Sequence, residues 1–295
     1  MATILRCFLV CHFVALFTLG CADGPILNDV HSQLNPTRVS QIFYPTSTED
    51  VVKIVKQAKA ENRAVSISGS RHAMGGQQFG RDTFHISTSK MNDVLSFDRK
   101  KGIIRAEAGI EWPDLVQYLL KNQTGETTQW AIVQKQTGAD KLSLGGALAA
   151  NIHGRGIRFK PIIQDVEAFT LVNAEGEVLN VSRTENPELF RLAIGGYGLF
   201  GVITTIDLRL MHRVKLQRVV EVVQLDALRE KVSQRFTEGF LYGDFQYKTD
   251  EQANDFMRVG VFSSYRPIPL SQPMPATQKR LSKENWYDLM VLAHR

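Results

Sequence analysis

The stretch Ser66–Phe79, SISGSRHAMGGQQF, decides how the rest of the chain is read. Just before it, Ala64-Val65-Ser66-Ile67-Ser68 alternates like a strand and runs into Gly69. Further upstream, Ser47 is placed to cap a helix with Asp50 near its third position. Val51, Val55 and Ala58 follow at helical spacing, and Asn62 ends the run. The unit reads as helix, strand and glycine loop. Backbone N–H groups of such a loop converge on an anion. Gly69, Ser68 and Ser70 are small enough for close approach, and Gly75 and Gly76 permit unusual dihedrals just beyond. His72 projects from the loop. On spacing alone, the segment also reads as a surface turn with a solvent-facing histidine.

Two later segments share its taste for small residues. Thr137–Gly156, TGADKLSLGGALAANIHGRG, is dominated by Gly145, Gly146, Ala147, Ala149 and Ala150 and closes on His153-Gly154. It suits close approach to something flat, or equally a tightly packed helix. Gly195–Gly201, GGYGLFG, contains Gly-x-Gly-x-x-Gly at Gly196, Gly198 and Gly201. A dinucleotide fingerprint needs a strand before the glycines and a helix after them. Here a helix from Asn186-Pro187 to Ala193 precedes and a strand Val202–Met211 follows, so a nicotinamide site is not expected.

Between these segments the pattern predicts a strand Ile103–Glu107 and a helix Glu111–Lys121 with Pro113 in its first turn. A hairpin of Val166–Val172 and Glu177–Val181 turns through Asn173-Ala174-Glu175-Gly176. After Arg213 the character shifts. Gln217–Val223 reads as a strand, Leu225–Phe236 as an amphipathic helix, and Phe240–Tyr247 and Phe256–Ser263 as strands. Pro267, Pro269, Pro273 and Pro275 then break the chain.

Composition bounds the function. The chain has 295 residues, 43% of them apolar, enough for a sizeable core. Its net charge of +5 is dispersed, so no nucleic-acid partner is expected. Cys7, Cys11 and Cys21 are the only cysteines, which excludes a cysteine-based metal site or disulfide framework in the body. His72, His85 and His153 lack ligand spacing, so no metal is expected. Residues 1–21 read as a leader, with the apolar run Cys7–Gly20 after one basic residue and a lipoprotein-like end, Thr18-Leu19-Gly20-Cys21. That predicts an exported protein, periplasmic or membrane-anchored through its N-terminus. Residues 22–37 read as a linker.

The order of the three small-residue segments resembles the FAD-binding domain of the vanillyl-alcohol oxidase/p-cresol methylhydroxylase (PCMH-type) flavoproteins, over roughly Val39 to Val214. The look is nearest to members acting on sugar alcohols and aldonolactones. The resemblance implies an α+β chain. An FAD-binding domain of two α/β subdomains at 38–214 would be followed by the start of a substrate or cap domain at 215–295. Ile67, Ser68, Gly69, Ser70, Arg71, His72 and Ala73 would wrap the FAD diphosphate. Gly138, Ser143, Gly146, Ala150, Asn151, Ile152 and His153 would line the cofactor in the second subdomain, and Ile203 would contact its adenine side. His72 stands where many members bond covalently to the flavin, and with no cysteine in the body one such link is the maximum.

What the resemblance implies for activity is an FAD-dependent oxidoreductase. It would oxidise an alcohol or lactone C–H of a small sugar-like substrate by hydride transfer to flavin N5. Oxygen, a quinone or a cytochrome would reoxidise the flavin. The family's catalytic base sits beyond the matched region, so none is carried over here. Only about 80 residues follow Val214, and the substrate half reads as shortened. A flavin-binding module or fragment without turnover is the alternative.

Overall fold

The computed structural model describes residues 24–275 and 282–293; the leader expected at 1–21 lies outside them. Short β1 (Ile26–Leu27), β2 (Thr37–Arg38) and β3 (Gln41–Phe43) precede α1 (Thr48–Ala60), β4 (Val65–Ser68) and β5 (Phe84–Ser87). Then come β6 (Val94–Asp98), β7 (Ile103–Glu107), α2 (Trp112–Asn122), β8 (Trp130–Ile132), α3 (Leu144–Ala149), β9 (Val166–Val172), β10 (Val178–Ser182), α4 (Pro187–Ala193) and β11 (Val202–His212). The last elements are β12 (Lys215–Gln224), α5 (Leu225–Thr237), β13 (Tyr242–Tyr247), β14 (Val259–Ile268) and α6 (Lys283–Ala293).

The first unit is a parallel sheet, β3-β5-β4, covered by α1. Ser47 caps α1 as its position predicts: its backbone is extended and its Oγ accepts from Asp50 N at 3.1 Å, an arrangement worth about 1 kcal/mol. The helix buries Val51, Ile54, Val55 and Ala58. That stripe packs on Ile86 and Met91 of the first unit and also on Val172 and Val202 of the second. α1 is therefore a wedge packed between the two units. Central β5 is buried throughout, and as a four-residue run it carries no periodic signal of its own.

The second unit is an antiparallel sheet in the order β10-β9-β11-β7-β6, with β8 also paired to β11. Its inward face, including Ile104, Phe169, Leu171 and Ile206, is covered by Trp112 and Leu115 of α2, Leu144 and Leu148 of α3, and Phe190 of α4. Val202, Thr204, Ile206 and Leu208 are all buried along β11, as their alternation predicts. The helix from Pro187 forms, but Asn186 does not cap it. Asn186 is left-handed at φ 51°, and its Nδ2 donates to Asn180 O at 2.7 Å instead.

The third unit is a small sheet, β12-β14-β13, with α5 packed against β12 and β14. β14 runs through Pro267, where the proline pattern predicts a break. The exception has a geometric reason. β13 pairs only as far as Tyr265, so beyond it the missing N–H forfeits no ladder bond on that side. This sheet docks on the second unit through main chain, with Ile157 N donating to Leu241 O at 2.9 Å and Gly243 N to Arg155 O at 2.8 Å. Among the described residues no helix is long and apolar enough to cross a membrane, and no cluster of metal-ligating side chains occurs.

Candidate functional site

The three small-residue segments, distant in sequence, meet on one cleft of about 340 Å3. Its first wall is the loop after β4, Gly69 to Ala73. Its second is α3, through Ser143, Gly146, Ala149 and Ala150. Its third is the turn before β11, through Tyr197, Gly198, Phe200 and Gly201, continued by Ile203.

Close contacts explain the residue sizes. A Cβ on Gly69 would sit 1.9 Å from Ser143 Oγ, so the loop touches the start of α3 with no room for a side chain. Ser143 caps α3, its Oγ accepting from Gly146 N at 3.4 Å. α3 is stitched to the third wall by Gly195 N to Leu148 O at 2.9 Å and Tyr197 N to Ala149 O at 3.0 Å. Gly201 holds φ 139°, with Val172 O 2.4 Å from where its Cβ would be.

Hydrogen-bond accounting separates the roles of the walls. The first N–H groups of α3 are already taken, Leu144 N by Ile110 O at 2.9 Å and Gly145 N by Ala108 O at 2.7 Å. By contrast, no hydrogen bond among the described residues takes up the Ser70, Arg71, His72 or Ala73 N–H. The carbonyls of this loop are tied instead: Arg71 O accepts from Val30 N at 3.0 Å and Ala73 O from Gln78 Nε2 at 2.9 Å. Arg71 itself is left-handed at φ 58°, a conformation that costs a non-glycine residue about 1 kcal/mol. The loop thus presents spare donors beside a cation, which is what an anion requires.

A second cavity, of about 390 Å3, lies against the same loop and is lined by Tyr44, His85, Ser87, Ser89, Glu111 and Lys141 together with Ser68 to His72. Ser70 Oγ donates to Glu111 Oε1 at 2.8 Å, fixing the loop to the entrance of α2. His72 Nδ1 lies 2.6 Å from His31 Nε2. Burial holds the His72 imidazole below the usual histidine range. The His31 charge acts the same way, while the Lys141 backbone and Glu111 oppose it. His85 is fully buried, with Ser66 Oγ 2.8 Å from Nδ1 and Ser68 Oγ 2.8 Å from Nε2. Burial, aided by the charge of Arg71, lowers it to about 4, so it is a neutral tie between β5 and the strand that launches the loop.

Of the residues expected at the site, Ile67 to Ala73, Ser143, Gly146, Ala150, Ile152 and Ile203 line the cleft. Gly138, Asn151 and His153 do not. Gly138 is an open turn at φ 101°. Asn151 Oδ1 accepts from Ile163 N at 3.3 Å, and the exposed His153 ring lies 3.1 Å from Gly154 O. Sequence reasoning passed over Ala108, Gln136, Tyr197 and Phe200. Tyr197, Gly198, Phe200 and Gly201 carried a signal in the Gly-x-Gly-x-x-Gly run, which does line the cleft although its helix-to-strand order is not that of a nicotinamide site.

The cleft suits FAD on its own terms, with four spare donors for a diphosphate and a wall of glycine and alanine for a flat ring. A family model described as an FAD binding domain matches residues 39–182. This stretch is an FAD-binding domain of the PCMH type. The chain is 31% identical over 175 residues to L-gulonolactone oxidase of Bos taurus, covering 59% of this chain and 38% of the relative. D-arabinono-1,4-lactone oxidase of Candida glabrata is 27% identical over 197 residues, covering 66% of this chain and 36% of the relative. L-galactono-1,4-lactone dehydrogenase of Brassica oleracea is 26% identical over 213 residues, or 70% and 34%. The chain therefore spans less than two-fifths of these relatives' length. Among solved structures, an alkyldihydroxyacetonephosphate synthase superposes with a TM-score of 0.67 at 19% identity, over 80% of this chain and 48% of that one, which shows the shared fold.

Proposed function

We propose that this chain is the flavin-holding part of an FAD-linked oxidoreductase that oxidises a sugar-lactone-like substrate at a C–H bond bearing oxygen. The observation that carries the proposal is the convergence of three small-residue segments on one cleft beside four spare loop N–H groups. The lactone class comes from the named relatives. When bound, FAD supplies the redox chemistry, accepting a hydride at N5. The N–H groups of Ser70 to Ala73, with the Arg71 guanidinium, would hold the diphosphate. Gly146, Ala149 and Ala150 give a flat wall, and Ile203 would contact the adenine side. His72, its imidazole held below the usual histidine range by burial, would be the residue that bonds the flavin. The leader and its export remain part of the same proposal.

Titrating purified chain with FAD, and following flavin fluorescence and visible absorbance, tests cofactor binding. Uptake with one equivalent is expected, and a colourless chain that takes up none refutes the proposal. Anaerobic addition of aldonolactones then reads turnover, and loss of the yellow colour is expected. Flavin that no lactone bleaches favours the second reading, a binding module without turnover, which the partial span of the relatives supports. After acid precipitation, colour is expected to stay with the wild-type pellet and to leave with His72→Ala. Release from both removes the covalent link alone.

A further inference from the structure

The segment ahead of the FAD-binding match does more than lead into it. Asp29 is buried and folds the segment around itself, its Oδ1 accepting from His31 N at 2.8 Å and Ser32 N at 2.6 Å. Burial raises its pKa, but the Ser32 hydroxyl and the N–H groups of His31, Ser32 and Gln33 outweigh that and hold the carboxyl at about 2. The turn is therefore kept in one shape by an ionised carboxylate. It fastens onto the glycine loop at three successive points: Val30 N donates to Arg71 O at 3.0 Å, His31 Nε2 meets His72 Nδ1 at 2.6 Å, and Asn35 Nδ2 donates to Met74 O at 2.7 Å.

We infer that His31 is a positioning residue for His72, and that residues 28–35 form a strap holding the His72 ring with its lone pair capped. Two imidazole nitrogens 2.6 Å apart share one hydrogen, so one ring donates and the other lends its lone pair. The Lys141 backbone is the other hydrogen-bonding group on the His72 ring and favours a proton there. With the shared hydrogen on His31 Nε2, His72 Nδ1 is the acceptor and the ring's own proton sits on Nε2. The flavin bond proposed for His72 therefore requires the His31 contact to open. The other charged groups on the cavity that holds this ring are Arg71, Glu111 and Lys141. The reading rests on the proposed function only for what His72 meets when flavin is bound, and the strap itself needs no cofactor.

The test uses the full chain without added flavin at pH 7.5. Diethyl pyrocarbonate acylates a neutral imidazole through a free lone pair, and peptide mass spectrometry reads each site. The exposed His153 in the same sample is the internal standard. In wild type, His72 is expected to react several-fold more slowly than His153. His31→Ala uncaps it and raises its rate several-fold. His31→Gln, whose side-chain amide also donates, restores the slow rate although the imidazole is gone. Nitrogen NMR of labelled histidine is expected to show His72 protonated at Nε2 in wild type and His31→Gln, and a mixture in His31→Ala. Equal His72 rates in all three proteins, or an Nδ1–H tautomer in wild type, overturns the inference. FAD titration of the same samples reads the functional proposal separately: a chain that takes up no flavin yet shows the capped histidine refutes the proposed function alone.

Discussion

Gly69→Ala tests the geometry of the cleft at its tightest point. The added methyl would lie 1.9 Å from Ser143 Oγ and 2.8 Å from Ser143 Cβ, where ordinary contact begins near 3.4 Å. Relief needs a separation of roughly 1.5 Å, and Ser143 has nowhere to go. It is buried, it caps α3, and α3 is pinned by Leu144 N and Gly145 N to the main chain after β7. The loop is the freer partner, so it shifts away from α3 and its donors swing with it. Overpacking of this kind costs about 1–3 kcal/mol. If the strain falls on the flavin-competent shape, FAD affinity drops about 5- to 150-fold. Flavin fluorescence titration measures that, and a thermal melt reads any share borne by the free protein. Ser143→Gly deletes both clashing atoms and as a helix cap loses only a few tenths of a kcal/mol. The double variant Gly69→Ala/Ser143→Gly should therefore bind FAD better than Gly69→Ala alone, a coupling that a double-mutant cycle isolates. Wild-type affinity and stability in Gly69→Ala would refute the placement of the loop against α3.

His85 gives a pH prediction. Unfolded, its imidazole takes a proton near 6.5, and folded only near 4. Between those values the unfolded chain binds the extra proton, so stability is full above pH 6.5 and falls as pH drops through 4, by at most about 3 kcal/mol. Urea midpoints should decline over that window, and His85→Gln, less stable at pH 7, should show a flatter decline; parallel profiles would exclude His85 as the cause. Arg71 sits at φ 58°, so Arg71→Gly should be more stable than Arg71→Ala by about 1 kcal/mol in chemical denaturation, with both weaker than wild type for FAD. Gly109→Ala would place a methyl 1.8 Å from Thr88 O, where the first and second units meet, and should abolish soluble expression; a variant folded by circular dichroism would contradict that contact.

Legibility in the sequence followed how local the cause of each feature is. The cap at Ser47, the turn at Gly176 and the alternation along β11 are set by neighbours in the chain, and each forms where its pattern says. β5 and β6 went unseen because their definition is not local. β5 is made a strand by β3 and β4 on either side, and β6 pairs only with β7. The same holds at Asn186, where a good capping residue is drawn off by Asn180 O across the turn from β10 to α4. At the site, the three segments were visible by their small residues, yet Gln136 and Ala108 were not. Their place on the cleft comes from the path of the chain around α2, and nothing in their own neighbourhood encodes it.

The spare donors of the glycine loop have a structural cause that reaches across the molecule. The N–H groups of a loop on an open cleft pair either with its own carbonyls or with water and ligands. Here those carbonyls are occupied from outside, Arg71 O by Val30 and Met74 O by Asn35. The strap before the domain and the left-handed Arg71 thus deny the loop its internal partners. α1 meanwhile holds the two units apart, packing on Ile86 of one and on Val172 and Val202 of the other. Shortening that wedge should act on the cofactor without touching the cleft. Val55→Ala removes a buried side chain from it, a loss of about 1–3 kcal/mol in stability. Because α1 packs on both units that carry the walls of the cleft, FAD affinity should fall as well. A purely local core would lose stability with affinity unchanged, so the ratio of the two effects, read by urea denaturation and FAD titration, decides whether α1 sets the width of the site.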